Sequence, residues 1–309
     1  MVLFQYVVMC LIFGTTFLAI KVGIDAGATP FFSAGVRFFL AGLILFGWMF
    51  WKKKANLRLL LGKEMFLTGF CLTFGVFASL YWAEQYLSSG IAAILSATAP
   101  LMILLLQSRT FRQKLNFTAW AGCIVGLAGV VILLLPGLTV SFNKLWLIAC
   151  FVVLFGQIFY ASGTVYSRIV IQRFRETSPI ALNAAQMMHG GLLLFLLSLF
   201  TEDVHIGTLF APQASLSLLY LIIAGSMMGH TIFYWLVSKT NPVFPSTWLY
   251  ISPLISLCLG HFLYNEPLTL LSLIGGIAII AGIILVNLDN LKKVVNQRQR
   301  MLPTVGDHR

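Results

Sequence analysis

Apolar runs of about 20 residues, the length that spans a bilayer core as a helix, recur ten times along the chain, parted by short polar clusters. They predict helices near 4–24, 33–51, 65–83, 88–107, 117–135, 145–167, 179–200, 216–238, 245–263 and 269–288. Strands of a membrane barrel would alternate apolar and polar residues. The stretches Leu101 to Gln107 and Gly122 to Leu135 do not. The first run lacks a basic leader and a small-residue cleavage site and exceeds a usual signal core, so it reads as a span. The pattern predicts an all-α polytopic membrane protein with ten transmembrane helices.

Composition agrees: 59% of residues are hydrophobic and only 9% are charged, against about 25% charged in soluble domains. The net charge of +11 is not a nucleic-acid signature, because Lys and Arg form short clusters between apolar runs. Seventeen of the 20 basic residues fall on one predicted side: Lys52, Lys53, Lys54, Arg58, Lys63, Arg109, Arg112, Lys114, Arg168, Arg173, Arg175, Lys239, Lys292, Lys293, Arg298, Arg300 and Arg309. The positive-inside rule therefore places both termini in the cytoplasm of a cell with this protein in its cytoplasmic membrane. The opposite loops hold Lys144 and the acids Asp25, Glu84, Glu202, Asp203 and Glu266. The five cysteines (Cys10, Cys71, Cys123, Cys150, Cys258) lie in apolar stretches without ligand spacing. They read as small buried hydrophobes, and neither metal nor cofactor is expected.

The chain also matches itself. Tyr81-Trp82 and Tyr234-Trp235, Pro100 and Pro253, Gly122 and Gly275, and Ala128-Gly129 and Ala281-Gly282 stand 153 residues apart; Pro30 and Pro179, and Arg37 and Gln186, stand 149 apart. A longer loop near 201–215 accounts for the change of offset. Two halves with five spans each must enter the membrane from opposite sides, which predicts two inverted five-helix repeats. Their extents are 1–138 and 142–291, with a basic cytoplasmic tail over 292–309. Inverted repeats are the architecture of alternating-access transporters, whose site lies near midplane between the halves.

Phe13-Gly14-Thr15-Thr16-Phe17, Pro30, Arg37, Tyr81 and the segment Gly90 to Pro100 carry a resemblance in the first half. In the second half it is carried by Pro179, Gln186, Tyr250 to Pro253, Glu266-Pro267 and the glycine-rich helix from Gly275 to Gly282. With these motifs the chain resembles the EamA family of drug/metabolite transporters over residues 4 to 288. Phe13 stands where that family commonly has Trp. The resemblance implies ten helices in two inverted repeats, a central cavity, and export or exchange of small metabolites whose identity it does not give.

Ionisable groups within spans are costly and therefore candidate sites. Arg37 either snorkels to the outer interface or lines the outer half of a cavity, taking a carboxylate or phosphate or pairing with Glu84. Its counterpart Gln186 keeps hydrogen-bonding capacity without charge, and Lys21 reads as a snorkelling residue. His189 and His230 suit either proton coupling or neutral interhelical bonding, and His261 reads as interfacial. No paired carboxylates occur at midplane, so a proton is an unproven coupling ion, with facilitated diffusion and exchange open. Tyr81 and Tyr234 face either a cavity or the aromatic belt, while Trp48 and Trp51 look like interfacial anchors. Pro100 and Pro253, inside helices four and nine, are expected to kink them and to act as hinges. Ser96, Thr98, Tyr250 and Ser252 lie beside these prolines. Thr15 and Thr16 on helix one, and Gln157 and Tyr160 on helix six, add polar groups at comparable depth. Gly122, Gly126, Gly129, Gly275, Ala278 and Gly282 form packing faces, with a homodimer contact as one use.

The chain holds no HExxH motif and no Walker loop, so neither a metallopeptidase nor a primary pump is expected, and no short broken segment suggests a channel filter. The reading that results is a secondary transporter exporting small metabolites, amino-acid-like or otherwise zwitterionic, through a site built from Thr15, Thr16, Arg37, Tyr81, Gln157, Tyr160, Gln186, His189, His230, Tyr234 and Tyr250. Its expected partners are a small-molecule substrate and the lipid bilayer. A lipid flippase, or a membrane binding protein without flux, would use the same pattern.

Overall fold

A computed structural model describes residues 1–112, 114, 116–135, 143–204, 207, 211–255 and 269–301. Among these residues the chain is helical, with no strand. Seven helices are long and apolar enough to cross a membrane: Val2–Asp25, Pro30–Trp51, Lys63–Ala83, Gly90–Thr110, Lys144–Arg173, Pro179–Thr201 and Pro212–Lys239. Three shorter apolar helices, Phe117–Leu133, Val243–Ile255 and Leu273–Val286, fall where the fifth, ninth and tenth spans are predicted. The chain is a polytopic membrane protein.

Helix starts follow local chemistry. Pro30, Pro179 and Pro212 each open a helix, where a missing N–H costs nothing and φ is preset. The side chains of Asn116, Asn143 and Ser178 accept from the first-turn nitrogens of Thr118, Trp146 and Ile180. Glu202, expected simply as an external acid, caps a different helix: its carboxylate accepts from Phe31 N (2.7 Å) and Phe32 N (2.9 Å). An anion at the positive end of Pro30–Trp51 is stabilised there.

Several predicted boundaries shift. The sixth helix runs on to Arg173, so Arg168 and Arg173 are helical rather than loop residues. Arg168 donates to the carbonyls of Val237 (2.6 Å) and Thr240, and Arg173 pairs with Glu64 at 2.7 Å. The last helix, Leu270–Met301, continues through residues expected to begin a tail. The predicted fourth helix is two, Ser89–Ser96 and Ala99–Thr110. Pro100 therefore sits in the first turn of a new helix instead of kinking an old one. Pro253 lies inside helix 248–255, six residues past the turn at Thr247, so the two prolines are not equivalent breaks. The repeat boundary at 138–142, Cys258, His261, Glu266-Pro267, the end of the ninth predicted helix and Arg309 lie outside the described residues.

Packing joins the two halves throughout. Pro30–Trp51 lies along Pro179–Thr201, and Phe117–Leu134 along Leu270–Met301; Val2–Asp25 meets Pro212–Lys239, and Lys63–Ala83 meets Lys144–Arg173. Glycines permit the closest approaches. A Cβ on Gly282 would stand 2.5 Å from the Gly126 nitrogen, and one on Gly275 2.5 Å from the Leu133 nitrogen. These glycines thus pack helix against helix within the chain. Two wide π-helical stretches, Phe70–Gly75 and Leu221–His230, interrupt the third and eighth spans. Such turns expose backbone and recur at functional sites.

Candidate functional site

Seven of the apolar helices converge on a cavity between the halves. Phe13, Thr16, Phe17 and Ile20 come from the first helix and Arg37 from the second; Leu72, Val76, Phe77 and Leu80 come from the third. Ser96, Gln157, Tyr160, His230, Phe233, Tyr234, Trp248 and Leu249 complete the wall. The empty volume is about 660 Å³, of which about 50 Å³ admits the centre of a water molecule. A single water needs about 10–15 Å³ of such space. The cavity as drawn holds a few waters, and a metabolite would require the walls to part.

Arg37 is the cation of this wall and is only 1% exposed. Its Nε donates to Ser226 Oγ (2.9 Å) and its Nη1 to Tyr81 Oη (3.2 Å). Its guanidinium also lies 4.5 Å from the Phe38 ring centroid and 5.1 Å from that of Phe77, within cation–π range. These contacts overrule snorkelling, since the head group is directed into the bundle. They also place Tyr81 behind Arg37 rather than in the cavity wall, as the residue that aims the guanidinium. No Arg37–Glu84 ion pair forms among the described residues. A guanidinium has five donors, so two such bonds leave capacity for an anionic group.

Aromatic rings make most of the remaining surface. Phe13 packs on Trp248 (centroids 4.6 Å) and on His230 (5.2 Å), and His230 also meets Phe38 and Phe77 edge-on or tilted. Tyr160 Oη accepts from Trp248 Nε1 at 3.2 Å, and Gln157 Nε2 donates to Ser96 Oγ at 3.3 Å. Thr16 turns its hydroxyl to Phe13 O. The wide turn of Leu221–His230 sets His230 and Ser226 on the side of Arg37.

Thr16, Arg37, Gln157, Tyr160, His230 and Tyr234, all singled out from sequence, thus share one cavity. The other five expected residues do not line it. Tyr81 holds Arg37. Thr15 pairs with Tyr220 Oη where helix one meets Pro212–Lys239. Gln186 accepts from Thr73 Oγ1 (2.8 Å) and donates to Asn183 Oδ1 (3.1 Å), which ties the second half to the third helix. His189 Nδ1 contacts its own helix at Ala185 O (2.9 Å), and its ring meets Phe66. Tyr250 donates to Cys123 O (3.2 Å) with its ring against Gly126. Interhelical bonding, the alternative to a ligand role, therefore describes Thr15, Gln186 and Tyr250, whereas His189 bonds within its own helix. Phe17, Phe77, Trp248 and Ser226 were missed from sequence. In so apolar a chain an aromatic or a serine carries no signal of which way it faces. No His, Cys, Asp and Glu cluster fit for a metal occurs among the described residues.

A family model for the EamA-like transporter family matches residues 1–135 and 147–288. An inner membrane transporter of Escherichia coli K12, YedA, itself uncharacterized, is 30% identical over 283 residues, covering 90% of this chain and 88% of that protein. PagO of Salmonella typhimurium is 27% identical over 288 residues, covering 91% and 90%. A chloroplastic WAT1-related protein of Arabidopsis thaliana is 26% identical over 89% of this chain and 66% of its own. One solved crystal structure superposes with a TM-score of 0.74 at 18% identity, covering 94% of this chain and 97% of that one; it shares the fold.

Proposed function

Given that this chain belongs to the EamA-like transporter family, we propose that it exports a small metabolite, amino-acid-like or otherwise zwitterionic, by alternating access between two inverted five-helix repeats. The observation that carries the substrate class is one buried, hydrogen-bonded cation in an aromatic wall. Arg37 supplies a fork for a carboxylate, and the rings of Trp248, Phe13 and Phe77 offer faces to an ammonium group or an apolar side chain. A lipid flippase is less well served, because the cavity combines this cation with the polar side chains of Gln157 and Ser96.

The helix pairing supports the inverted repeat. Exchanging the halves turns helix one on helix eight into helix six on helix three, and maps two-on-seven and five-on-ten onto themselves. The π-helical stretch Phe70–Gly75 moved by the offset of 153 residues falls inside Leu221–His230. Interhelical contacts stand toward either end of the bundle, Glu64 with Arg173 and Arg168 with Val237 and Thr240 at one, and Lys21 with the Glu84 main chain at the other. Such contacts must break in turn for alternate access.

The test is a metabolite profile of the medium around cells with and without the protein. One chemical class accumulating outside only with the protein names the substrate. No difference across amino acids, nucleosides and organic acids would sink export and leave uptake or lipid movement to be measured. Orientation is checked separately. Cysteines placed at the exposed positions Lys53 and Gln85 are expected to react with a membrane-impermeant maleimide from opposite faces, Lys53→Cys only from the cytoplasm. Labelling of both from one face would refute the proposed topology.

A further inference from the structure

Glu84, which sequence assigns to an external loop, is 0% exposed. Neither of its carboxyl oxygens has a hydrogen-bond partner. It caps the end of the third helix, three residues after Tyr81, and sits between two unlike environments. On the outer side, Lys21 and Asp25 form a 3.0 Å ion pair with side chains 28% and 59% exposed, and Lys21 Nζ also donates to the Glu84 main-chain oxygen at 3.0 Å. On the inner side stands Arg37, held by Tyr81. The groups acting on Glu84 are therefore Lys21 and Asp25 from helix one, Arg37 from helix two, and Tyr81 from its own helix. Burial holds the carboxyl well above the usual carboxylate range; Asp25 adds to the effect, and Lys21 and Arg37 oppose it. A buried carboxylate with no bond to either oxygen is expensive, and a proton removes the charge, which is the larger part of that cost.

We propose that Glu84 is a proton-binding site linked to the cavity through Arg37, so that an anionic group docking on Arg37 and a proton on Glu84 are taken up together. An empty, cationic Arg37 favours the Glu84 carboxylate, and a carboxylate on Arg37 cancels that attraction, so the proton stays. On loading, a hydronium ion gives its proton to a Glu84 oxygen, forming an O–H bond. On release that bond breaks, the electron pair stays on oxygen, and the proton passes to water at the Lys21–Asp25 end. The linkage to transport rests on the substrate reading given above; the proton site itself does not.

The experiment is infrared difference spectroscopy of the full chain in lipid nanodiscs across a pH series, for the wild type and Glu84→Gln. A protonated-carboxyl C=O band that disappears as pH rises, and that is lost in Glu84→Gln, is the expected result. Superimposable spectra would overturn the site. Arg37→Gln should move the band's disappearance to higher pH. Lys21→Gln at the partly exposed position should shift it in the same direction, which tests the site. The linkage is read from Arg37→Gln or, should that variant fail to fold, from Arg37→Met, and an unmoved titration there overturns it. Proteoliposomes loaded with a mixture of amino acids then separate the two readings. Flux that responds to a pH gradient in the wild type but not in Glu84→Gln supports coupling. Flux indifferent to pH in both overturns it and leaves the transporter reading standing. A titrating band without amino-acid flux keeps the proton site and removes the substrate class.

Discussion

Replacing Arg37 with alanine is expected to raise the apparent Kd of the transported compound by ~30-fold or more while the protein remains in the membrane at wild-type level. Removing one partner of a buried, hydrogen-bonded charge pair costs about 2–5 kcal/mol, and each 1.4 kcal/mol is tenfold in affinity. The cost arises because the substrate's anionic group would be desolvated against Phe38 and Phe77 with no cation to meet it. Ser226 and Tyr81 lose one donor each, and a hydrogen bond to a charged group contributes about 1.5–3 kcal/mol. Relief of the cost of burying the guanidinium itself offsets this loss, so the fold is expected to hold. Arg37→Lys should recover part of the affinity, since charge is kept and the planar fork is lost. The measurement is concentration-dependent flux in proteoliposomes at matched protein content. Equal losses of flux and of folded protein would make Arg37 a structural residue.

Gly282→Val is expected to cost the protein its fold more than any change to a cavity residue. The valine Cβ would stand 2.5 Å from Gly126 N and 2.7 Å from Gly122 O. Overpacking against movable side chains costs about 1–3 kcal/mol. Here the obstacles are backbone atoms on a facing helix, so the whole pair must separate. A fall in Tm on the order of 5–10 °C follows from the usual scaling of stability to Tm, with loss of monodisperse protein in detergent. Gly47→Val, where an added Cβ meets nothing within 4 Å, is the control and should change little. An unchanged Tm in Gly282→Val would mean that the two helices do not pack backbone to backbone at this position.

How far each feature was legible depended on whether its signal is one-dimensional. Charge inside an apolar run is such a signal, and it picked out Arg37. A duplicated Tyr-Trp pair is another, but it could not tell Tyr234, which lines the cavity, from Tyr81, which stands behind Arg37. The polar residues Gln186, His189 and Tyr250 carried the same signal as Gln157 and His230, yet Gln186 and Tyr250 bond helices together and His189 bonds its own helix. Glu84 was misread because it follows the last apolar residue of its span and precedes the exposed Gln85 and Tyr86. Nothing in one dimension shows that the end of helix one covers it.

The amino-acid sequence by itself determined the membrane class and the approximate spans, because bilayer insertion depends on the summed transfer free energy of consecutive residues, and its motifs carried the family. Tertiary structure alone decided which face of each helix meets its neighbour. Leu, Phe and Trp satisfy lipid and protein equally well, so composition cannot distinguish the aromatic wall around Arg37 from the lipid-facing surface. The same holds for the glycines of the fifth and tenth predicted helices, whose small size permits a contact without naming the partner. The close approach of their two backbones named it.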